Sequence, residues 1–149
     1  MKPTGIVWDP AYLEHVTDEG HPDHPRRLEM LYRKLEETIG DGYFVTVAPP
    51  EATEEQILLV HRPSYLERVR ATATQGASSL STDTLTYERS WRAARLAVGG
   101  TIEAIRQVVE GRLANALVLA RPPGHDVSVD IDRVHRVGHG DPVAAAEDV

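Results

Sequence analysis

The residue best placed to do chemistry is a histidine that follows a turn at the end of an apolar segment. Residues 117–120 read Leu-Val-Leu-Ala, and Arg121, two prolines and a glycine separate them from His125. The apolar segment predicts a buried strand, and the Pro-Pro-Gly sequence predicts a turn directly after it. Active sites in parallel α/β sheets lie beyond the carboxyl ends of the strands. His125 is therefore a candidate catalytic residue.

Carboxylates and histidines continue beyond His125. Asp126 follows at once, and Asp130, Asp132 and His135 are candidate metal ligands because carboxylate and imidazole groups both bind zinc. On a strand, the spacing of Asp132 and His135 puts their side chains on opposite faces, and the glycines and proline nearby disfavour a helix. This spacing argues against a zinc site built by the tail alone.

Residues 126–149 form a divergent tail for which two interpretations stay open. Val127, Val129 and Ile131 alternate with polar residues, a pattern that predicts a short strand with one solvated face. The tail also has no aromatic residue and no core-like apolar pattern further on. That composition is typical of a disordered segment or of out-of-frame, rearranged sequence.

Composition restricts the class of protein. The 149 residues include 16 Lys and Arg and 23 Asp and Glu, for a net charge of −7, and no cysteine. Nucleic acids and anionic membranes bind basic surfaces, so we expect neither as a partner. Without cysteine the chain has no disulfide and no thiolate metal ligand. Since no secretory signal or membrane-spanning stretch is evident, we expect one domain in the cytoplasm.

Strand and helix patterns alternate along the first 120 residues. A capping-box pattern, Thr53 with Gln56, marks the start of one helix. Strands are predicted at 4–8, 43–47 and 115–120, and helices at 25–40, after Thr53, at 63–73 and at 87–111, with a polar loop at 76–84. The alternation predicts an α/β fold with a parallel sheet flanked by helices in three layers. The sheet is expected to be incomplete on its C-terminal side, since nothing after the third strand continues the pattern.

Five short segments also occur in the order seen in a known enzyme family. They are Tyr-Leu-Glu-His at 12–15 with Gly-His-Pro-Asp-His-Pro-Arg-Arg-Leu at 20–28, Val-His-Arg-Pro-Ser-Tyr-Leu at 60–66, Leu-Ser-Thr-Asp-Thr at 80–84, Ala-Ala-Arg-Leu-Ala-Val-Gly-Gly-Thr at 93–101, and Arg-Pro-Pro-Gly-His at 121–125. Together they resemble the histone deacetylase family, including its acetoin-utilisation and acetylpolyamine amidohydrolase branches. The resemblance identifies residues 1–125 as the N-terminal part of a deacetylase-like domain with the arginase/deacetylase fold.

The resemblance implies zinc-dependent hydrolysis of an acetylated amine, either a small molecule or an acetyl-lysine peptide. His125 matches the first of two active-site histidines, and Asp126 stands in place of the second, the general base. An aspartate, with a pKa of about 4, is a poor acid for protonating a leaving amine. The family's zinc ligands and its oxyanion-stabilising tyrosine come after the point where this chain departs from the pattern. We therefore expect this chain alone not to bind zinc and to be catalytically incomplete.

Three further residues receive roles from the resemblance. Arg27 matches an arginine that lines an internal channel, Asp83 matches a rim aspartate that accepts substrate hydrogen bonds, and Gly124 belongs to the substrate-binding turn. Purely structural roles are the alternatives to these functional ones: a surface salt bridge for Arg27, and a turn or helix cap for Asp83. His21 and His24 are expected to be structural, and Tyr65 and Trp91 to be core residues, because both aromatics recur at helical spacing with apolar neighbours.

Two functions remain open from the sequence. One is a deacetylase that another polypeptide or a continuation of the chain completes. The other is a non-enzymatic, truncated remnant or interaction module of the same fold. In either case an uncovered strand edge and apolar faces favour self-association.

Overall fold

The structure is a computed structural model that describes residues 2–38, 42–80 and 85–122. The strands are β1 (Thr4–Val7), β2 (Phe44–Val47), β3 (Ser78–Ser79), β4 (Leu85–Thr86) and β5 (Asn115–Val118). The α-helices are α1 (Arg26–Thr38), α2 (Glu54–Leu58), α3 (Pro63–Thr72) and α4 (Ser90–Val109), and a short 3₁₀ helix covers Pro10–Leu13. No helix in these ranges is long and apolar enough to cross a membrane.

A parallel sheet forms the centre of the described fold, as the sequence predicts, and its strand order is β2-β1-β5. Val7 in β1 is in register with Val47 in β2 and with Val118 in β5. The three valines are parts of one apolar cluster that also includes Ala104 of α4 and Leu113. Helix α4 therefore covers one face of the sheet.

The opposite face of β5 is less covered than its apolar sequence predicts. Leu117 is 49% exposed, whereas a strand buried on both faces would hide this side chain. Among the described strands β5 lies at an edge of the sheet, with β1 as its hydrogen-bonded neighbour. The sequence-based prediction of a strand covered on both faces is thus wrong for Leu117, because burial depends on a neighbouring element and not on the strand itself.

Local patterns predict most element boundaries well. The Thr53 hydroxyl accepts the Gln56 amide at 3.3 Å, and the Gln56 side chain accepts the Thr53 amide at 2.9 Å, so the predicted capping box is confirmed. Pro63 begins α3 in the first turn, where a missing amide costs nothing. Ser78–Ser79, inside the region 76–84 predicted as a loop, pairs antiparallel with Leu85–Thr86 just beyond it. A strand of two residues is too short to show an alternating pattern in the sequence.

Helix α4 approaches the rest of the molecule closely at its two glycines. A β-carbon on Gly99 would lie 2.0 Å from the carbonyl oxygen of Pro50 and 2.7 Å from the amide nitrogen of Ala52. The segment is held there because the Ala52 amide donates to the Arg95 carbonyl at 3.0 Å and the Arg95 Nε donates to the Ala52 carbonyl at 3.0 Å. Glycine at position 99 is therefore a steric requirement.

We expect Gly99→Ala to lower the free energy of unfolding by about 1–3 kcal/mol or more, because the new methyl group meets backbone atoms that cannot rotate away. Gly20→Ala is the matched control, since no atom lies within 4 Å of the β-carbon position there. Urea unfolding followed by circular dichroism measures both. Equal urea midpoints of unfolding for the two variants would show that the backbone at Pro50 can move away from the new methyl group without loss of stability.

Candidate active site

The end of β5 leads to a buried arginine whose guanidinium group connects three segments of the chain. Arg121 is 2% exposed. Its Nε and Nη2 donate to the two carboxylate oxygens of Asp23 at 2.9 and 3.0 Å. Its Nη1 donates to the carbonyl oxygens of Tyr12, at 3.2 Å, and His15, at 2.9 Å, and Nη2 also donates to the Asp23 carbonyl. The side chain thus fastens the strand end to the first loop.

The planar geometry of this contact makes it specific for arginine. A guanidinium offers a rigid fork of donors that matches a carboxylate, whereas a lysine ammonium is a compact point charge. Because Arg121 is buried, losing either charge would leave the other without compensation, at a typical cost of about 3–5 kcal/mol. The contact therefore constrains which residues can occupy positions 23 and 121.

His15 extends the cluster towards the start of α4. Its Nδ1 lies 2.7 Å from the hydroxyl oxygen of Ser90, and its Nε2 lies 3.7 Å from a carboxylate oxygen of Asp23. The Ser90 hydroxyl also accepts the Tyr87 amide at 2.9 Å. Burial, with the Arg121 charge adding to it, lowers the pKa of His15 to about 4, although the Asp23 carboxylate acts in the opposite direction. His15 is therefore neutral at pH 7.

Two buried tyrosines donate to backbone carbonyls, one just after β5 and one in α4. The Tyr32 hydroxyl donates to the Leu119 carbonyl at 3.0 Å, and the Tyr12 hydroxyl donates to the Leu96 carbonyl of α4 at 3.0 Å. Burial raises the pKa of both phenols well above the ordinary value. Both therefore remain hydrogen-bond donors, and the Tyr32 contact holds the backbone at Leu119, directly after β5.

A cavity of about 630 Å³ lies next to this cluster, between α2 and α3 on one side and α4 with the end of β5 on the other. Most of its lining is apolar, but His15 and Ser90 place polar groups in it, and Pro122 lies in its wall. Tyr65 and Trp91 also line the cavity. Both side chains are partly buried, and Trp91 packs against the core cluster of Ala52, Ile57 and Leu66 as predicted, while also facing the cavity. Helical spacing does not distinguish a core face from a cavity face.

The described residues place only part of the predicted site. Arg27 is exposed, and its Nη1 donates to the Pro22 carbonyl at 2.9 Å, so its channel role stays a prediction. The rings of His21 and His24 accept the backbone amides of Asp23 and Arg26 at 3.1 and 3.2 Å. These contacts lie within their own loop, in agreement with a structural role.

The other predicted site residues lie outside the described residues, and their roles stay predictions. They are Asp83, Gly124, His125, Asp126, Asp130, Asp132 and His135. Within the described ranges no group of three or more His, Asp or Glu side chains is arranged to hold a metal ion.

The polar cluster formed by Arg121, Asp23, His15 and Ser90 was not predicted from the sequence. One signal was present, because an arginine directly after an apolar strand must find a partner if it is buried. The partner itself was not evident, since Asp23 lies 98 positions away along the chain. Only the folded arrangement brings the two residues together.

We expect the free energy of unfolding to decrease as the pH is lowered, because His15 is buried in its neutral form. The folded-state pKa of about 4 lies below the ordinary value of 6.5, so the unfolded chain takes up the proton more readily. Stability is therefore fully present above pH 6.5 and is lost as the pH falls towards 4, by an amount on the order of 3 kcal/mol.

His15→Asn should flatten this part of the pH profile, measured by urea unfolding at intervals between pH 4 and 7. His24→Asn, in the same loop but less buried, is the control and should keep the slope of the unmodified chain. The same slope in all three proteins would assign the pH dependence to other groups.

We also expect the apolar face of α4 to drive self-association. Val98 and Ile102 line the cavity and are 42% and 36% exposed. Replacing both with glutamine should shift sedimentation velocity profiles towards monomer. Burial of a glutamine side chain between two copies of the chain gives less hydrophobic free energy than burial of valine or isoleucine. Met30→Gln, at a residue of α1 that is 77% exposed, should leave the profile unchanged. A monodisperse monomer for the unmodified chain would contradict this expectation.

Comparison with known proteins identifies the family. The family model for the histone deacetylase domain matches residues 21–128. Histone deacetylase HDA1 of Candida albicans is 35% identical, over 82% of this chain and 18% of that protein. The histone deacetylase-like amidohydrolase of Pseudomonas aeruginosa is 36% identical, over 81% of this chain and 30% of that protein.

A solved structure agrees with the described fold. The crystal structure of the HDA15 HD domain superposes with a TM-score of 0.79 at 29% sequence identity, covering 87% of this chain and 38% of that one. The chain thus spans less than half the length of each of these relatives. These matches confirm the resemblance inferred from the five sequence segments. The chain belongs to the histone deacetylase family and corresponds to the N-terminal part of its domain.

Proposed function

We propose that this chain contributes the first part of a zinc-dependent deacetylase site that hydrolyses acetylated amines, either acetyl-lysine peptides or acetylpolyamines. The observation that carries the proposal is the family match over residues 21–128, which includes both the loop with Arg27 and the turn with His125. The buried Arg121 cluster supports it, because this cluster fixes the strand end from which that turn begins.

The proposed roles follow the family positions. His125 is the first active-site histidine, and Asp126 occupies the place of the general base. Asp83 accepts hydrogen bonds from the substrate backbone, Gly124 lets the substrate approach the turn, and Arg27 lines a channel for acetate. When bound, zinc supplies a water molecule acidified enough to attack the acetyl group. We propose that the ligands of this ion come from beyond the 149 residues, so that this chain alone is inert.

A chimera tests the scaffold and the base separately. Residues 4–128 of this chain replace the aligned segment of the Pseudomonas aeruginosa amidohydrolase, which then provides the rest of the domain. Acetate release from an acetyl-lysine peptide and from an acetylated polyamine is measured, with the parent enzyme as the reference. We expect Asp126→His to raise the rate of the chimera by about 10²–10⁴-fold, because it restores the general base.

Each result of this experiment has a distinct meaning. Equal, measurable rates of acetate release by the chimera with Asp126 and with Asp126→His would overturn the proposal that position 126 holds the general base. A folded, zinc-loaded chimera that releases no acetate in either form would overturn the proposed function. The 149-residue chain tested alone should show neither bound zinc nor acetate release, and turnover by it unaided would contradict its catalytic incompleteness.

A further inference from the structure

Helix α4 carries two apolar faces, of which only one is covered. Ala93, Leu96 and Ala104 are buried against the 3₁₀ helix, α1 and the sheet. Four apolar side chains that are 42, 36, 59 and 80% exposed form a second row on the same helix: Val98, Ile102, Ile105 and Val109. Steps of four, three and four residues place this exposed row on one stripe of the helix. Since one apolar stripe is enough to hold a helix on a sheet, the exposed row predicts a second packing partner.

Strand β5 has a free edge whose backbone points away from the rest of the sheet. The Leu119 amide donates to the Val7 carbonyl of β1 at 2.9 Å. Because the hydrogen-bonding groups of successive strand residues point to opposite sides, the amides of Ala116 and Val118 point away from β1. The described residues place no strand on that side. The sequence of β5, Asn-Ala-Leu-Val, also lacks the charges and prolines that commonly prevent the addition of a strand at an edge.

The exposed row of α4 and the free edge of β5 belong to one surface, the open surface. Val98 and Ile102 line the same cavity as Val118 and Ala120, so no gap separates the helix face from the strand end. A strand edge supplies main-chain hydrogen bonds, and an apolar helix face accepts an amphipathic helix. The open surface therefore fits a polypeptide that brings both a strand and an apolar helix face.

The size of a solved relative indicates which polypeptide this is. The chain shares the fold of a deacetylase domain of which it spans only 38%. More than half of that domain therefore lies outside the part that this chain matches, and it has to pack on surfaces that this part leaves uncovered. Among the described elements, the open surface combines an unpaired strand edge with a row of exposed apolar side chains.

From these observations we propose that the open surface binds the C-terminal part of a histone deacetylase domain. This partner adds a strand to the free edge of β5 and packs an apolar helix face against the exposed row of α4. The proposal rests on the proposed function in that it names the polypeptide that completes the site. Its test is binding, which needs no catalysis.

The probe is the part of the Pseudomonas aeruginosa amidohydrolase that follows the segment aligned with this chain. The tagged probe is co-expressed with the full 149-residue chain and purified through the tag and by size exclusion. We expect a complex with one copy of each, in place of the self-associated chain. The amidohydrolase's own aligned segment, co-expressed in the same way, shows that the probe can assemble. Recovery of that reference complex but not of this chain would overturn the proposal.

Charges in the exposed row test the helix contact. Ile105→Glu combined with Val109→Glu should lower the amount of chain recovered on the order of tenfold or more, because two charges would be buried without partners. Both side chains are more than half exposed, so the variant should keep the circular dichroism spectrum of the unmodified chain. Met30→Glu is the matched control, since Met30 is an apolar residue of α1 that is 77% exposed. Equal recovery of the variant and the control would contradict the docking role of the exposed row.

Amide hydrogen exchange with residue-level resolution tests the strand edge. In the chain alone, the amides of Leu117 and Leu119 should exchange slowly and those of Ala116 and Val118 rapidly. Assembly with the probe should slow the second pair on the order of tenfold or more, because these amides gain hydrogen-bond partners. Slow exchange of both pairs in the chain alone would assign the edge to a second copy or to the tail of this chain, against the proposal.

Acetate release separates this proposal from the proposed function. The complex is prepared with Asp126→His and with zinc, and its acetate release is measured on the same two substrates as the chimera. A complex that forms with the expected exchange pattern but releases no acetate would leave the docking surface established and would count against the proposed function alone.

Discussion

The buried ion pair between Arg121 and Asp23 is the contact on which the organisation of this molecule depends. Taking both charges out of water is unfavourable, and only a complete set of hydrogen bonds offsets it. The carbonyls of Tyr12 and His15 complete that set. As a result, the first loop cannot move away from the end of β5 without exposing an unpaired charge. A contact of this kind contributes little net stability but allows few alternative arrangements.

Helix α4 provides the rigid support for this contact. Its start supplies Ser90 to His15, its middle supplies the Leu96 carbonyl to Tyr12, and its glycines let the segment at Pro50 pack against it. The same helix covers one face of the sheet and forms one wall of the cavity. A change in the packing of α4 would therefore reach the polar cluster, the sheet and the cavity together.

The apolar cavity and the exposed Leu117 fit a chain that spans 38% of a solved deacetylase domain. Apolar surfaces of this extent are usually covered in a complete domain. Polar groups of His15 and Ser90 lie in the same cavity, so one side of the cluster faces a region that the described residues leave open.

Local sequence determined those features that depend on near neighbours. The capping box of Thr53 and Gln56 and the strands at Thr4–Val7 and Phe44–Val47 follow from patterns a few residues long. Family membership also followed from sequence, because five ordered segments are specific even where each alone is weak. The order β2-β1-β5 was not determined in this way, since a parallel arrangement of strands leaves several orders possible.

Tertiary structure alone decided which distant groups meet. The burial of Arg121, its pairing with Asp23 and the low pKa of His15 depend on contacts between residues 75 to 109 positions apart. The exposure of Leu117 and the cavity positions of Tyr65 and Trp91 depend likewise on which elements cover them. The periodicity of apolar residues indicates which face of a helix or strand is apolar. It does not predict what that face contacts, because the contacting residues are distant in the sequence and come close only in the folded chain.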